Sequence, residues 1–347
     1  MNQFLLNRRN FLIKSLAGAA TLIAAPYLNL DVWAADQDAP IRIAVEFNSH
    51  AVPAYVAIEK KLFEAEGLNI TAYASYVTGA SLAAALTKGD IDAAYICLIP
   101  AINAYANAGV PIKVICGTHL YGYGLAVNPE KIHSVKDLEK PNIQVGCLGV
   151  GTAVDTVMHK TMERFNIDKQ QILPKAKRMN PAKAIFAVKA KQLDAVFLPE
   201  HWLTMTERYG FSVMHTARDV WADMIGSVLI SKNSLIQNNP AVVDKLVKVT
   251  QKATTWMNQH GDESAEIAAR YLSFESQNAP LAEVLESENE LRVSQASIAR
   301  SMKNLDYLNV VDKKMVQETI DNTARLGNIR QSFSADAILD LQFLQRA

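Results

Sequence analysis

The sequence has no excess of positive or negative charge. Its 35 Lys and Arg residues are balanced by 35 Asp and Glu residues, and the basic residues form no long run. Proteins that bind nucleic acids or anionic membranes carry clustered positive charge. We therefore expect neither nucleic acid nor a membrane surface as the main partner.

Cysteine is also scarce. The chain has three, Cys97, Cys116 and Cys147, separated by 19 and 31 residues. An odd number at these spacings matches neither a disulfide framework nor a zinc motif. Cys97 and Cys116 lie in apolar stretches, so we interpret the cysteines as small buried apolar residues. A single disulfide between any two of them is left open.

A long apolar run occurs only near the start of the chain. Arg8 and Arg9 precede an apolar stretch over residues 16–30 and then Ala34. This order of basic, apolar and small residues is typical of an export signal, and the arginine pair resembles a twin-arginine signal. The apolar stretch holds too few unbroken residues for the roughly 20 that span a bilayer. We predict cleavage after Ala34 and a soluble periplasmic protein.

The rest of the chain alternates strand-like and helical patterns. This alternation predicts an α/β protein in which each sheet is mostly parallel and flanked by helices, followed by a helical C-terminal region from Pro240. The predicted strands are 41–45, 68–76, 93–98, 112–116, 143–145, 195–198 and 228–230, and the predicted helices before Pro240 are 52–66, 81–88, 101–108, 152–165 and 182–190.

The length of the chain favours two lobes over one. Gly122 and Gly124 lie within a β pattern that ends at Pro129, which predicts a crossing into a second lobe. Residues 228–230 are the predicted return strand. The first lobe is therefore expected to contain residues 35–125 and 227–347, and the second lobe residues 126–226.

Several segments between about residues 40 and 275 together form a recognisable pattern. They are AIEKKLFEAEGL (57–68), 79–86, KGDIDAA (88–94), NAGVPIK (107–113), SVKDL (134–138), GVGT (149–152), KQLDA (191–195), PEHW (199–202) and NNPAVV (238–243). Their order and spacing resemble the bilobal solute-binding proteins of ABC importers for nitrate, sulfonates, taurine and pyrimidine precursors. These proteins form the type II periplasmic-binding-protein superfamily.

This resemblance implies two lobes joined by two crossing strands, with a small-molecule solute in the cleft between them. It also implies an ABC transporter permease as the membrane partner, and we expect a monomer without a cofactor. General rules favour the same location, because ligands bind outside the carboxyl ends of strands and often between lobes. Closure around the solute would be a hinge motion.

The segments that follow the predicted strands supply the candidate binding residues. In the first lobe they are Asn48, Ser49, His50, Thr78, Gly79, Ser81, Cys97, Leu98, His119 and Tyr121, in the second lobe Gly149, Gly151, Thr152, Glu200, His201 and Trp202, and at the return crossing Ser227.

Residues 149–152 have the most specific chemistry in this set. Gly149 and Gly151 allow the backbone to approach a ligand, and free N–H groups at the start of a helix favour an anion. Alternatively, the segment forms only a turn and a helix cap, with Asp155 favouring the helix dipole. Residues 78–81 present the same two alternatives.

Three histidines, His50, His119 and His201, follow different predicted strands. If they converge beside Glu200, they could ligate a metal or hold a polar ring. Their separations of 69 and 82 residues match no metal motif. We therefore expect hydrogen bonding to the solute by at least one histidine and no bound metal, with Trp202 available to stack on a flat ligand.

The candidate set contains no Lys or Arg. The expected solute is a small polar organic compound or an oxyanion, such as a sulfonate, a nitrate-type anion or a heteroaromatic acid. A small, fully charged anion would depend on helix N-termini alone and would be opposed by Glu200, so Glu200 and Trp202 favour a heteroaromatic or amino-bearing acid over a simple oxyanion. No nucleophile–base arrangement can be read from the sequence, so we expect no enzyme. The alternatives are a sensory ligand-binding subunit and a metal- or cofactor-bearing enzyme related to pyrimidine-precursor synthases.

Overall fold

The computed structural model describes residues 40–273 and 291–344. The predicted export signal and its cleavage site lie outside these residues. The strands are β1 Ile41–Glu46, β2 Ile70–Tyr76, β3 Ala93–Cys97, β4 Ile112–Tyr121, β5 Tyr123–Val127, β6 Val145–Cys147, β7 Lys177–Arg178, β8 Ala195–Pro199, β9 Ser212–Thr216, β10 Ile225–Lys232 and β11 Leu305–Asp306.

Helices flank these strands. They are α1 Val52–Glu59, α2 Leu62–Ala65, α3 Gly79–Thr87, α4 Leu98–Ala108, α5 Ala153–Arg164, α6 Lys169–Ile172, α7 Pro181–Lys189, α8 Trp202–Met205, α9 Ala217–Val220, α10 Asn233–Asn238, α11 Pro240–Gln259, α12 Gly261–Tyr271, α13 Gln295–Met302 and α14 Lys313–Arg325. Among the described helices, none combines the length and the apolar character needed to cross a membrane.

The strands form two mixed sheets. In the first sheet, ordered β11-β4-β10-β3-β1-β2, strands β1 to β4 run one way, and β10 and β11 run the other way. In the second sheet, ordered β7-β6-β8-β5-β9, only β5 is reversed. The reversed strands β5 and β10 are those in which the chain enters the second sheet and returns to the first. The predicted α/β architecture is confirmed.

The two faces of the first sheet are both buried. Along β3, Tyr95 and Cys97 contribute to one hydrophobic core, whereas Ala94 and Ile96 contribute to another on the opposite face. Such alternation follows from the two-residue period of a strand. The core that contains Cys97 continues into the second sheet, so the site described below lies where two sheets meet.

Several predicted boundaries differ from the structure. The predicted helix 52–66 divides into α1 and α2, because Lys61 adopts a left-handed conformation with φ of 55°. The C-terminal region is less helical than expected, since β11 pairs with β4. This pairing satisfies backbone groups at the edge of the sheet, and a strand of two residues has too little sequence to show a pattern.

The three cysteines are unpaired and buried, as expected for Cys116 and Cys147. Cys97 is also buried, but its thiol contacts polar groups. The boundaries proposed for the two lobes, residues 125/126 and 226/227, stay a prediction.

Candidate functional site

Polar side chains lie close together at the edge of the first sheet where strands β1, β3 and β4 end. Glu46 ends β1, His50 follows it in a short 3-10 turn, Cys97 ends β3, and His119 lies near the end of β4. Tyr123 begins β5, and its ring centroid lies 4.8 Å from that of His50. The His50 and His119 ring centroids are 4.5 Å apart. We call these five residues the polar cluster.

Glu46 is the acidic member of the cluster and is 3% exposed. Its Oε1 accepts a hydrogen bond from the Cys97 backbone N–H at 2.7 Å, and its Oε2 accepts from the Cys97 thiol at 3.0 Å and from Asn48 Nδ2 at 3.2 Å. In the part of the chain that the structure describes, no Lys or Arg forms an ion pair with it. Burial therefore raises the pKa of the Glu46 carboxyl.

The tautomer of His50 follows from its contacts. Its Nε2 lies 2.8 Å from the carbonyl oxygen of Gly122. Because a carbonyl can only accept, Nε2 carries the hydrogen, and Nδ1 presents a lone pair 3.5 Å from Cys97 Sγ. Burial lowers the pKa of His50 to about 4, so the ring is neutral at pH 7.

Cys97 receives hydrogen bonds as well as donating one. Tyr123 Oη donates to its Sγ at 2.6 Å and Ser227 Oγ at 3.6 Å. Ser227 lies opposite Cys97 in the β10–β3 register, which explains their proximity. Burial raises the pKa of Cys97 well above its ordinary value, and the neighbouring Glu46 raises it further. The thiol is therefore protonated at pH 7.

Glu200 and His201 follow β8 of the second sheet. Glu200 is fully buried, and its Oε2 accepts from Thr204 Oγ1 at 2.8 Å, while Asn304 Nδ2 donates to its Oε1. Burial raises the pKa of Glu200 to about 7, against these hydrogen bonds and a weaker opposing influence of Arg300. The Glu200 backbone N–H donates to the Gly122 carbonyl, which His50 also contacts. The second sheet therefore meets the polar cluster at Gly122.

Five buried polar side-chain atoms have no hydrogen-bond partner among the described residues and belong to His119 or to residues adjacent in sequence to His50, His119 and Glu200. They are Ser49 Oγ, Thr118 Oγ1, His119 Nε2, and both ring nitrogens of His201. Leaving a buried polar group unpaired costs about 1 to 3 kcal/mol, so folded proteins rarely tolerate several together. Burial lowers the pKa of His201 to about 3 and that of His119 well below its ordinary value. Both rings are neutral. His201 can both donate and accept, whereas His119 Nδ1 donates to the Leu120 carbonyl at 3.1 Å and leaves Nε2 as an acceptor.

In the loop at residues 149–152, Gly151, Thr152 and Asp155 are hydrogen-bonded to one another and to Gly149, although Asn103 Oδ1 and Asn328 Nδ2 beside Gly151 have no partner among the described residues. Thr152 Oγ1 donates to the Gly149 carbonyl at 2.8 Å and accepts from the Asp155 backbone N–H at 3.2 Å. The Gly151 N–H donates to Asp155 Oδ2 at 3.0 Å, and Arg178 binds the same carboxylate at 2.6 Å. Asp155 thus takes the place that an anion would occupy. The loop borders a separate cavity of about 290 Å³ beside α3 and α4.

The remaining candidate residues fall into two groups, those with a structural role and those beside the polar cluster or Glu200. Thr78 and Ser81 form a reciprocal helix cap, and Leu98 packs in the hydrophobic core. Tyr121 donates its hydroxyl hydrogen to the Ala222 carbonyl. Gly79 lies directly against the site, since a Cβ atom there would come within 2.5 Å of Glu46 Oε1. Trp202 is fully buried, with its ring 4.8 Å from that of His201.

Sequence reasoning missed several residues that form the site. Glu46 immediately follows the predicted first strand, and a carboxylate at the end of a buried strand is a usable signal. Tyr123 has an ordinary core pattern that hides the role of its hydroxyl. Asn304 and Tyr307 come from the distant C-terminal region, where Tyr307 Oη donates to the Ser49 carbonyl at 2.7 Å, and no local pattern indicates them.

The fold is that of type II periplasmic binding proteins. The structure is similar to the ligand-binding component of an ABC-type import system from Staphylococcus aureus with zinc bound, with a TM-score of 0.71 and 16% identity over 89% of this chain and 98% of that chain. It is also similar to the alkanesulfonate-binding protein of Xanthomonas axonopodis pv. citri bound to MOPS, with a TM-score of 0.69 and 16% identity over 86% of this chain and 97% of that chain.

Sequence comparison assigns the family. A protein of Brucella abortus (strain 2308), named only as a binding protein, is 24% identical over 280 residues, which are 79% of this chain and 81% of the relative. Residues 34–273 match the model of the NMT1-like family. The chain belongs to the NMT1-like family.

Proposed function

We propose that this protein is the periplasmic substrate-binding component of an ABC importer and binds a small polar solute between its two sheets. The observation that carries the proposal is the group of five buried, unpartnered polar atoms on Ser49, Thr118, His119 and His201. A solute with donors and acceptors would satisfy them. The names of the similar proteins, a component of an import system and an alkanesulfonate-binding protein, support the same role.

The charges of the site favour a neutral or amino-bearing solute over a simple oxyanion. The buried ionisable side chains of the described residues include carboxylates, histidines, cysteines and tyrosines, but no Lys or Arg. Glu46 and Glu200 would repel an anion whenever they are ionised, and the neutral histidines supply hydrogen bonds without charge. A heteroaromatic ring beside Trp202 fits this combination better than nitrate or a sulfonate.

The protein binds its solute without transforming it. A nucleophilic Cys–His pair needs a thiolate, usually beside a protonated or basic imidazole. Here burial raises the pKa of Cys97 and lowers that of His50, which favours the neutral thiol and the neutral ring. In the proposed role, a monomer is exported by the signal at residues 1–34, closes its two lobes on the solute, and delivers it to a membrane permease.

A ligand screen with paired variants tests this proposal. The purified, chelator-treated protein is heated with heteroaromatic compounds, amino compounds, sulfonates and nitrate, and positive compounds are titrated by calorimetry. A ligand at 100 times its Kd adds about 2.7 kcal/mol of stability, which raises Tm by several degrees. We expect His201→Leu to reduce the shift by about half or more and His133→Leu, an exposed histidine elsewhere, to retain it. A shift by nitrate or sulfonates alone, or one that His201→Leu leaves undiminished, would contradict the proposed ligand class.

A further inference from the structure

The side chains of Glu46, His50 and Cys97 form a compact group of potential metal ligands. One ligand atom from each, a carboxylate oxygen, Nδ1 and Sγ, lies within 4.8 Å of the other two. We propose that these three residues bind a single divalent transition-metal ion of the zinc type. The proposal goes beyond the solute-binding role and does not depend on it.

The distances suit a tetrahedral ion. With bonds of about 2.3 Å to sulfur and about 2.0 Å to nitrogen, tetrahedral geometry places the two atoms roughly 3.6 Å apart. The observed distance from Cys97 Sγ to His50 Nδ1 is 3.5 Å. Glu46 Oε2 lies 3.0 Å from Sγ, joined by the thiol hydrogen. Replacing that hydrogen by the ion requires the two atoms to separate by only about half an ångström.

The charges also favour a divalent ion. A buried carboxylate without a cationic partner is costly, and Glu46 has none among residues 40–273 and 291–344. A divalent ion with the Glu46 carboxylate and the Cys97 thiolate forms a neutral unit. Without the ion, burial raises the pKa of both groups, which disfavours their charged forms.

The surrounding groups orient these ligands as metal sites require. Donation from His50 Nε2 to the Gly122 carbonyl leaves Nδ1 as the free lone pair. Tyr123 Oη and Ser227 Oγ both donate towards Cys97 Sγ, which stabilises a thiolate. Asn48 Nδ2 donates to Glu46 Oε2. Each ligand is therefore held by at least one further contact.

The neighbouring histidine provides a second, independent indication of a missing partner. His119 is 1% exposed, its ring centroid lies 4.5 Å from that of His50, and its Nε2 has no partner among the described residues. A three-ligand site keeps a fourth position open, and an exogenous group bound there could donate to His119 Nε2, whose ring hydrogen is on Nδ1 beside the Leu120 carbonyl. The sulfur and nitrogen ligands favour zinc, cobalt or nickel over magnesium and calcium.

Cobalt(II) titration tests the proposal directly. The full-length protein is treated with chelator and reductant, incubated with Co²⁺, and examined for the thiolate-to-cobalt charge-transfer band in the near ultraviolet. We expect one ion per chain, displacement of the ion by Zn²⁺, and an affinity that rises with pH because binding releases the Cys97 proton. Absence of the band in the unmodified protein would overturn the proposal.

Matched cysteine variants locate the ion. Cys97→Ser should lose the band, whereas Cys116→Ser, which changes a buried thiol bonded to the Gly117 carbonyl, should keep it. Persistence of the band in Cys97→Ser would overturn the assignment. If Cys97→Ser does not fold, Glu46→Gln provides the same test with little change in volume. We expect it to weaken binding by more than the roughly 10- to 100-fold that follows loss of an outer contact.

The solute screen and the metal titration fail independently. Solute binding is measured on chelator-treated protein, so a solute that binds without metal supports the proposed function whatever the cobalt result. Conversely, a cobalt band that depends on Cys97 supports the metal site even if no compound in the panel binds.

Discussion

The polar cluster and the loop at residues 149–152 lie at strand ends in different sheets, and both contain residues that the sequence predicts to bind the solute. They differ in how their hydrogen bonds are completed. In the loop, Asp155 accepts from Gly151 and pairs with Arg178, and Thr152 caps α5. By contrast, His119 in the cluster and His201, which follows β8, keep unpaired nitrogens although both are buried. Two atoms beside the loop, Asn103 Oδ1 and Asn328 Nδ2, are also buried and unpaired. The two regions therefore differ in whether the candidate residues themselves keep unpaired atoms, and Gly-rich sequence alone does not distinguish a binding surface from a helix cap.

The largest expected effect is a dependence of the free energy of unfolding on pH that arises from buried Glu200. The pKa of Glu200 rises from an ordinary 4.5 to about 7 in the folded protein. The folded state thus holds this proton more tightly, which stabilises it fully below pH 4.5 and progressively less as the pH rises through 7. Between pH 4.5 and pH 8, the stability of the unmodified protein should fall by about 3 kcal/mol relative to Glu200→Gln.

Urea unfolding of both proteins across this pH range measures the difference. Subtracting the two curves removes the opposing contribution of the buried histidines, whose lowered pKa values add stability as the pH rises towards 6.5. Parallel curves would show that Glu200 is not the group responsible.

The next largest effect is expected from removing the Asp155 carboxylate, which binds the loop at residues 149–152. Asp155 is 1% exposed and accepts from both Gly151 and Arg178. We expect Asp155→Ala to lower the free energy of unfolding by about 2 to 3 kcal/mol, because charge-assisted hydrogen bonds are lost. Solute affinity should stay unchanged by calorimetry. A large loss of affinity with little loss of stability would restore the loop as a binding site.

His201→Leu should show the opposite behaviour. Loss of its hydrogen bonds should weaken solute binding by about 10- to 100-fold, equivalent to about 1.4 to 2.8 kcal/mol. The unliganded protein should keep its stability within about 1 kcal/mol, since two unpartnered nitrogens are replaced by an apolar group of similar size. Calorimetry and urea unfolding on the same preparation separate the two effects. A strongly destabilised variant would mean that His201 is a structural residue.

The smallest effect is expected at the helix cap itself. Thr152→Ala removes the side-chain acceptor of the Asp155 N–H and should cost about 1 kcal/mol of stability without changing solute affinity. Thr78→Ala, at the equivalent cap of α3, serves as the comparison. If Thr152→Ala alone weakens binding, its hydroxyl contacts the solute.

Prediction from sequence succeeded where the signal is local. The alternation of strand and helix, the β pattern around Gly122 and Gly124 and the strand around residue 228 all correspond to described elements. It was weaker where the pattern is short or polar, as for β7, β9 and β11. The edge strand β9 is half-exposed, so its sequence lacks the continuous apolar run of a buried strand.

The residues of the candidate site were also predictable only in part. His50, Cys97, His119 and Glu200 could be listed because each follows or ends a strand, and carboxyl ends of parallel strands share one edge of a sheet. Three contacts could not be predicted from the sequence. Glu46, His50 and Cys97 lie close enough to share a metal ion. The Asp155 carboxylate binds the Gly151 N–H in place of an external anion, and Asn304 donates to Glu200. By itself the sequence determined the elements, their order and the set of strand-end residues, because these depend on residue periodicity and turn chemistry. Only the tertiary structure decided which polar groups found partners, because hydrogen bonds between residues far apart in the chain depend on how the two sheets meet.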